Sequence, residues 1–279
     1  MQGLLTIGTG AGTAELEVAA AVCAAAGEAG SGPAAFVVSA AGASARPGLD
    51  LLAEVSGTPR EQLAERAFGA VAPPLLAARL EGAQIERDPL LDAIRAAGQD
   101  AGLLAVATSG GLMAPVAARY SNRDLALELG LPVVLAAQAG SDMLANVLLA
   151  IEGATGAGLA VPAVVVTGWP ETPSRVLLEE RALLEHQAAV PVLSLSTAAT
   201  HDAAALADAV RRWPVDEWAL DAAAPPPVVE DPAAQRRVML EPYAAWETRA
   251  VGDPRSTPRA SIMEAMLEIV GSEGPMTAS

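Results

Sequence analysis

Short runs of apolar residues recur along the first 200 residues, and most are followed by segments whose apolar positions lie three or four residues apart. Short runs are typical of buried strands, and the spacing of three and four is typical of amphipathic helices. Alternation of the two predicts an α/β fold, a mostly parallel sheet with helices on both faces. The predicted strands are 4–7, 35–38, 103–107, 133–137, 163–167 and 190–195.

The helical pattern and its end divide the chain into two parts. Beyond an alanine-rich helix after the first strand, the predicted helices are 59–66, 74–82, 88–97, 124–130, 144–152 and 174–187. From Trp213 onward, prolines such as Pro225 interrupt the pattern and favour an extended connection. We therefore expect an α/β domain over 1–220 and a proline-rich extension over 221–279, in which 261–270 has the spacing of a short amphipathic helix.

Composition narrows the possible partners and location. The chain has 279 residues, of which 52% are hydrophobic and 3% aromatic, as expected for a helix-rich globular protein. Its 17 positive charges are all arginine, scattered in a chain of net charge −16, which argues against nucleic acid as a partner. No signal peptide or membrane span is expected, and the single Cys23 cannot form an internal disulfide, so the cytoplasm is the default location.

The end of the first predicted strand has the composition of a phosphate-binding loop. Glycine-rich residues connect this strand to the alanine-rich helix, where backbone N–H groups and the helix dipole can hold an anion. The alternative is that the glycines only make a tight turn. The loop residues are Gly8, Thr9, Gly10, Ala11, Gly12 and Thr13.

A working loop of this kind requires a lysine and a hydroxyl, in the pattern G-x-x-x-x-G-K-[ST]. Counted strictly from Gly8, the lysine position is Ala14; with one more residue in the loop, it is Glu15 and the hydroxyl position is Leu16. Neither register supplies an ammonium group. In the second register, a glutamate for a lysine changes the local charge by two, on the order of several kcal/mol against phosphate in partly buried surroundings.

Four further segments, in order along the chain, resemble the dethiobiotin synthetase family, particularly its alanine-rich actinobacterial form. The resemblance covers roughly residues 3–200. Residues 72–79 are similar to the family's P-x-x-A-A-R helix start, and residues 109–113 to its E-G-A-G-G-L segment. Residues 131–140 are similar to the family's next strand and its turn, and residues 164–170 to a G-x-W-P turn near the adenine base.

The resemblance implies a P-loop NTPase-like fold and a homodimer that uses ATP, magnesium and carbon dioxide to close a ureido ring on a diamino fatty acid. It also implies the residues that would contact a nucleotide. Besides the loop and Glu15, these are Ser109, Gly110, Gly111, Thr167, Gly168, Trp169 and Pro170.

Residues that handle phosphate and metal in this family are replaced here. The lysine of the family's K-P-x-x-T-G segment falls on Val38, and the glutamate that helps to hold magnesium falls on Ala107. An aspartate expected after the second strand is represented at best by Asp50. With Glu15 and Leu16, these replacements remove the cations and ligands that phosphoryl transfer needs.

Other side chains offer limited replacements. Arg46, Arg119 and Arg123 follow strands and could substitute for the missing cations, or they could be solvated surface arginines. A nucleophilic set of Ser196 with the adjacent His201 and Asp202 rests only on sequence proximity. No His, Cys, Asp or Glu spacing suggests a zinc site.

The leading hypothesis is therefore a dethiobiotin-synthetase-like protein that has lost the ATP-driven reaction and binds a small molecule or a protein partner. ATP and magnesium are expected only if a first alternative holds, a functional synthetase with relocated arginines. A second alternative is an ATP-independent enzyme that uses the old substrate cleft.

Overall fold

The structure is a computed structural model that describes residues 1–10, 14–41, 45–64, 67–140, 142–188 and 190–220. The strands of the described residues are β1 Gly3–Gly8, β2 Pro33–Val37, β3 Ala40–Ala41, β4 Ala67–Phe68, β5 Leu103–Thr108, β6 Pro115–Ala117, β7 Tyr120–Ser121, β8 Val133–Gln138, β9 Val164–Trp169 and β10 Val192–Ser196. The helices are α1 Ala14–Glu28, α2 Arg46–Ser56, α3 Pro74–Leu80, α4 Arg87–Ala97, α5 Asn122–Leu129, α6 Met143–Gly156, α7 Arg175–Ala188, α8 Ala203–Val210 and α9 Val215–Leu220.

The main sheet contains six parallel strands in the order β10-β9-β8-β1-β5-β2. Each of the six predicted apolar runs is one of these strands, so the predicted α/β fold with a parallel sheet is confirmed. Because all six strands run in the same direction, their carboxyl ends lie along one edge of the sheet. The neighbours β1, β5 and β2 bring three strand ends together there.

Side chains of successive strand residues enter two separate cores, one on each face of the sheet. Leu4 contributes to the core formed with α1, α2, α8 and α9, whereas Leu5 contributes to the core formed with α4, α5, α6 and α7. This alternation is the two-residue period of a strand. Both faces are therefore covered by helices, as the apolar runs predicted.

Helix α1 is buried from Val18 through Ala26. Its many alanines let the sheet, α2 and α8 approach it closely, so the helix lies inside the domain and Cys23 is fully buried. This packing fixes the start of α1 against the ends of β1 and β5. In the described residues, no helix combines the length and the apolarity needed to cross a bilayer.

The interval between β2 and β5 differs from the prediction. Helix α2 was not predicted, because Pro47 and Gly48 resemble helix breakers; proline is compatible with the first helical turn, and Leu49 and Leu52 are buried against α1. The predicted helix 59–66 is wrong: its described part forms only a short 3₁₀ turn, Arg60–Gln62, after which the Leu63 carbonyl oxygen accepts a hydrogen bond from the Val37 N–H.

The end of the described chain also has more helix than expected. Helices α8 and α9 follow β10, and Trp218 of α9 is buried beside α1. The helical pattern therefore continues past Trp213, as far as Leu220. The predicted helix 261–270 lies outside the described residues.

Candidate ligand-binding site

A cavity of about 260 Å³ lies at the carboxyl ends of β1, β5 and β2. Ligands of open α/β sheets bind at this edge. Most of its wall is apolar, and among the described residues that line it none is basic. The lining residues are Gly10, Glu15, Leu16, Val37, Ser39, Ala45, Val71, Ala72, Pro73, Ala107, Thr108, Ser109, Gly110, Gly111 and Ala114.

Among the described residues that line the cavity, Glu15 is the one with an ionisable side chain. It lies in the first turn of α1, and only 4% of its surface is exposed. Its Oε2 atom has no hydrogen-bond partner among the described residues. A carboxyl oxygen in this position is costly unless a ligand or a proton satisfies it.

Burial raises the pKa of Glu15 to about 8, because the charged form loses its hydration. The backbone N–H groups of Glu15 and Gly110 oppose this effect, and the negative charge of Glu17 adds to it. Near neutral pH, this shift favours the protonated form of Glu15. No cationic side chain contributes to the shift.

Two hydroxyl groups in the same wall also have no partner. The Oγ atoms of Ser39 and Ser109 are buried and make no hydrogen bond with the described residues. Buried polar atoms are nearly always satisfied in folded proteins. Three unsatisfied polar atoms around one cavity indicate a place where a polar group of a ligand is accommodated.

Two glycines allow the strand ends and α1 to approach each other. A Cβ atom on Gly8 would lie 3.2 Å from Glu15 Oε2 and 3.3 Å from the Gly110 carbonyl oxygen. Gly110 has φ +84°, and a Cβ there would lie 2.8 Å from that of Ala114. These glycines bring Glu15 between the ends of β1 and β5.

Asn122 holds the turn at the end of β5, and sequence reasoning missed it. Its side-chain amide donates to the carbonyl oxygens of Ser109 and Gly111, at 3.2 and 3.0 Å. Its Oδ1 accepts a hydrogen bond from Thr108 Oγ1 at 2.6 Å. Asn122 is fully buried at the start of α5, where an asparagine after Ser121 gives no evident signal of this role.

Val38, which the resemblance gives as the position of the lysine in the second strand, does not line the cavity. Val38 points into the core on the opposite face, whereas Val37 and Ser39 line the cavity. Alternation along the strand explains the difference. The conclusion that no lysine is present is unchanged, because the residue at the cavity is also a valine.

Of the other positions at which the resemblance implies phosphate- or metal-binding residues, two line the cavity and one does not. Ala107 is fully buried in the cavity wall, and Leu16 is 5% exposed and packs against Gly48 of α2. Asp50 is not at the cavity: it lies on the exposed side of α2, 2.5 Å from Arg60. Neither Ala107 nor Leu16 offers an oxygen to a metal ion.

The three candidate arginines do not line the cavity. Arg46 is exposed at the start of α2, and Arg119 is exposed in the turn between β6 and β7 with φ +58°. Arg123 is partly buried and lies 3.6 Å from Asp124. Arg46 and Arg119 therefore correspond to the surface alternative, whereas the Nε of Arg123 is buried without a hydrogen-bond partner among the described residues.

The predicted contacts fall into two groups along the sheet edge. Gly10, Glu15 and the turn 109–111 line the cavity, and Gly8 lies beside Glu15 and Gly110. Thr9 follows β1, and its N–H donates to the carbonyl oxygen of Ala136. Ala11, Gly12 and Thr13 lie outside the described residues.

The second group lies at the end of β9, separated from β1 by β8. Thr167 is buried and donates to the carbonyl oxygen of Ala137, Gly168 has φ +65°, and Arg181 lies over the Trp169 ring at 5.4 Å. Pro170 follows β9 and is exposed.

Glu17, also missed by sequence reasoning, connects the start of α1 to this second group. Burial raises its pKa, while a hydrogen bond with Thr167 and the charge of His201 lower it. Carboxylates in a first helical turn interact favourably with the helix dipole. Glu15 and Glu17 thus place two acidic groups where a phosphate loop presents positive potential.

The proposed nucleophilic set of Ser196, His201 and Asp202 is not supported. Ser196 Oγ accepts a hydrogen bond from the N–H of Ala199, and Asp202 caps α8 by accepting from Ala205 at 2.7 Å. Both groups make local backbone contacts, and His201 is exposed.

The parallel sheet and comparison with known proteins define the class of this protein. A family model described as an AAA domain matches residues 43–200, so the chain is an α/β protein of the P-loop NTPase-like class. It is similar to the ATP-dependent dethiobiotin synthetase BioD of Anaeromyxobacter dehalogenans, with 36% identity over 62% of this chain and 81% of the relative. The corresponding protein of Caulobacter vibrioides is 34% identical over 75% of this chain and 98% of the relative. The chain belongs to the dethiobiotin synthetase family.

Proposed function

We propose that this member of the family does not carry out the ATP-dependent ring closure and instead binds a small molecule in the cavity at the ends of β1, β5 and β2. The observation that carries the proposal is Glu15, a buried carboxyl group at the position of the phosphate-loop lysine. Its pKa of about 8 reflects burial without a compensating cation. A nucleotide phosphate beside it would gain no charge neutralisation and would raise the pKa of this carboxyl further.

The rest of the cavity supports the same proposal. Val37, Ala107 and Leu16 line the cavity and offer no charged or metal-binding group. By resemblance, the family has a magnesium-binding glutamate at Ala107 and a metal-binding hydroxyl at Leu16. Phosphoryl transfer relies on positioned cations, and the described lining residues contain none. The family's implied magnesium ion therefore does not fit these residues.

The first alternative, a functional synthetase with relocated arginines, requires Arg46, Arg119 or Arg123 to reach the cavity. Two of them are exposed and the third is beside Asp124. The second alternative, an ATP-independent enzyme, lacks an acid and base pair among the described lining residues. Binding is the function that the apolar wall and its unsatisfied polar atoms favour.

A direct assay distinguishes the proposal from the first alternative. The full chain is incubated with diaminononanoate, ATP, magnesium and bicarbonate, and both dethiobiotin and inorganic phosphate are measured. The Caulobacter vibrioides relative serves as the positive control. We expect no product above background; product formation at a rate comparable to the relative's would overturn the proposal.

Family membership also leads us to propose a homodimer. The apolar contacts of a dimer contribute to stability whether or not catalysis is retained, so they need not disappear with the reaction. Light scattering at micromolar concentration should give twice the mass of one chain. A monomer at that concentration would contradict this proposal.

A further inference from the structure

We propose that the oxygen atoms around Gly8, beside the cavity, bind a monovalent alkali-metal cation, with potassium preferred and the Glu15 carboxylate as its anionic ligand. The inference goes beyond the proposed function, because it concerns an ion that the chain would hold with or without a small molecule in the cavity. It also differs from the magnesium ion of the dethiobiotin synthetase family. The positions that the resemblance implies for that ion, Leu16 and Ala107, offer no side-chain oxygen.

Three oxygen atoms converge on one side of Gly8. The position that a Cβ atom on Gly8 would take lies 3.2 Å from Glu15 Oε2, 3.3 Å from the carbonyl oxygen of Gly10 and 3.3 Å from that of Gly110. These oxygens come from the first turn of α1, from the loop after β1 and from the turn after β5. Because residue 8 is a glycine, the space between them is open to an ion.

The oxygens around Gly8 favour a positive charge. Carbonyl oxygens accept hydrogen bonds and cannot donate them, and Glu15 Oε2 is buried without a partner among the described residues. Protonated Glu15 and the hydroxyl groups of Ser39 and Ser109 could donate to an anion, but that anion would face two carbonyl oxygens at close range. A cation is attracted by all three oxygens at once.

The number of carboxylates selects the charge of the ion. Glu15 is the ionisable side chain of the described cavity wall, and the described residues contain no group of three or more His, Cys, Asp and Glu side chains that could hold a metal ion. Calcium takes about six to eight oxygen ligands, and magnesium is usually bound by one or two carboxylates together with substrate phosphates. One carboxylate and two neutral carbonyl groups carry a single negative charge, which a monovalent cation neutralises.

Potassium is the alkali ion that this arrangement favours. Carbonyl oxygens replace the hydration shell of potassium in channel filters, and a larger ion gives up its hydration water at lower cost. The hydroxyl oxygens of Ser39 and Ser109, buried without partners in the same wall, offer further neutral oxygens. We therefore expect affinity to fall in the order potassium, sodium, lithium.

The test is thermal unfolding of the full chain at pH 9 in choline, lithium, sodium or potassium chloride at one ionic strength. This pH lies above the Glu15 pKa of about 8, so a proton competes little for the carboxylate. At a concentration tenfold above its dissociation constant, a bound ion raises the melting temperature by about 3–6 °C for a domain of this size. We expect such a rise in potassium relative to choline, saturating in the millimolar range, with a smaller rise in sodium and none in lithium.

Two variants with matched controls locate the ion. Glu15→Gln removes the anionic ligand, and Gly8→Ala fills the space on which the oxygens converge, so both should abolish the difference between potassium and choline. Glu179→Gln, at an exposed position of α7, and Gly27→Ala in α1, where the space for a Cβ atom is open, should retain it. Each variant is compared with itself in two salts, and the salt series of the wild type decides the question if a variant does not fold.

The inference is overturned if lithium or choline stabilises the wild type as much as potassium does, which would leave a proton as the partner of Glu15. It is also overturned if Glu15→Gln keeps the full effect of potassium. None of these results affects the proposed absence of ring closure, which is judged by dethiobiotin and phosphate formation. Ring closure by a chain that binds potassium would contradict the proposed function alone.

Discussion

Replacement of Glu15 by glutamine should remove a pH dependence of stability that burial of this carboxyl creates. In the folded chain, the pKa of Glu15 is about 8, against an ordinary value of 4.5. Between these pH values the folded state binds a proton that the unfolded state releases. The stability linked to Glu15 is therefore fully present below pH 4.5 and is lost as the pH rises through 8.

The magnitude follows from the difference between the two values. At about 1.4 kcal/mol per pKa unit, the shift from 4.5 to about 8 corresponds to roughly 5 kcal/mol of unfolding free energy. The glutamine side chain does not ionise. Relative to Glu15→Gln, the wild type should thus lose about 1.4 kcal/mol per pH unit across this range and reach a plateau above it.

Urea unfolding followed by circular dichroism at pH 5, 6, 7, 8 and 9 measures this difference. The other carboxylates and the net charge of −16 affect both proteins, so subtraction of the two curves isolates Glu15. Equal dependence of the unfolding free energy on urea concentration would verify that the variant unfolds in the same way.

Glu179→Gln is the matched control, because it makes the same chemical change at an exposed position. Its stability difference from the wild type should be the same at every pH. A constant difference for Glu15→Gln as well would refute the reasoning, since it would mean that the carboxyl is not buried without a charge partner.

Two further predictions concern the same edge of the sheet. Glu15→Lys combined with Leu16→Thr should improve triphosphate binding in calorimetry without restoring turnover, since Val37 and Ala107 remain; unchanged binding, compared with Glu179→Lys, would mean that the loop is not a phosphate cradle. Asn122→Ala should lower the unfolding free energy by about 3 kcal/mol in urea, because it removes three buried hydrogen bonds, whereas Asn146→Ala on the exposed face of α6 should have little effect. A loss below about 1 kcal/mol for Asn122→Ala would contradict the role assigned to it.

The positions of the six strands and their parallel direction could be anticipated from the apolar runs, because buried parallel strands are continuous in hydrophobicity. Their order in the sheet could not, because it depends on contacts between segments far apart in sequence. Helix α2 could not, since Pro47 and Gly48 are breakers within a helix but acceptable at its start, and Gly48 is favoured there by the close approach of Leu16. Local pattern does not reveal such a tertiary contact.

Only part of the candidate site could be predicted from the sequence, again because tertiary contacts decide the rest. The sequence alone shows that neither register of the glycine-rich loop supplies a lysine, but which of Val37 and Val38 lines the cavity depends on the face that each side chain enters. The burial of Glu15 and the contacts of Asn122 arise from chain segments far apart in sequence. Their chemistry is therefore visible only in the folded chain.

The central claim is that the start of α1 no longer accepts a nucleotide phosphate, and calorimetric titration with Mg-ATP at pH 7.5 tests it most directly. The buried Glu15 carboxyl and the absence of a metal ligand at Leu16 and Ala107 predict a dissociation constant in the millimolar range or weaker. The Caulobacter vibrioides relative provides the comparison under the same conditions. Micromolar affinity that depends on magnesium would contradict the account.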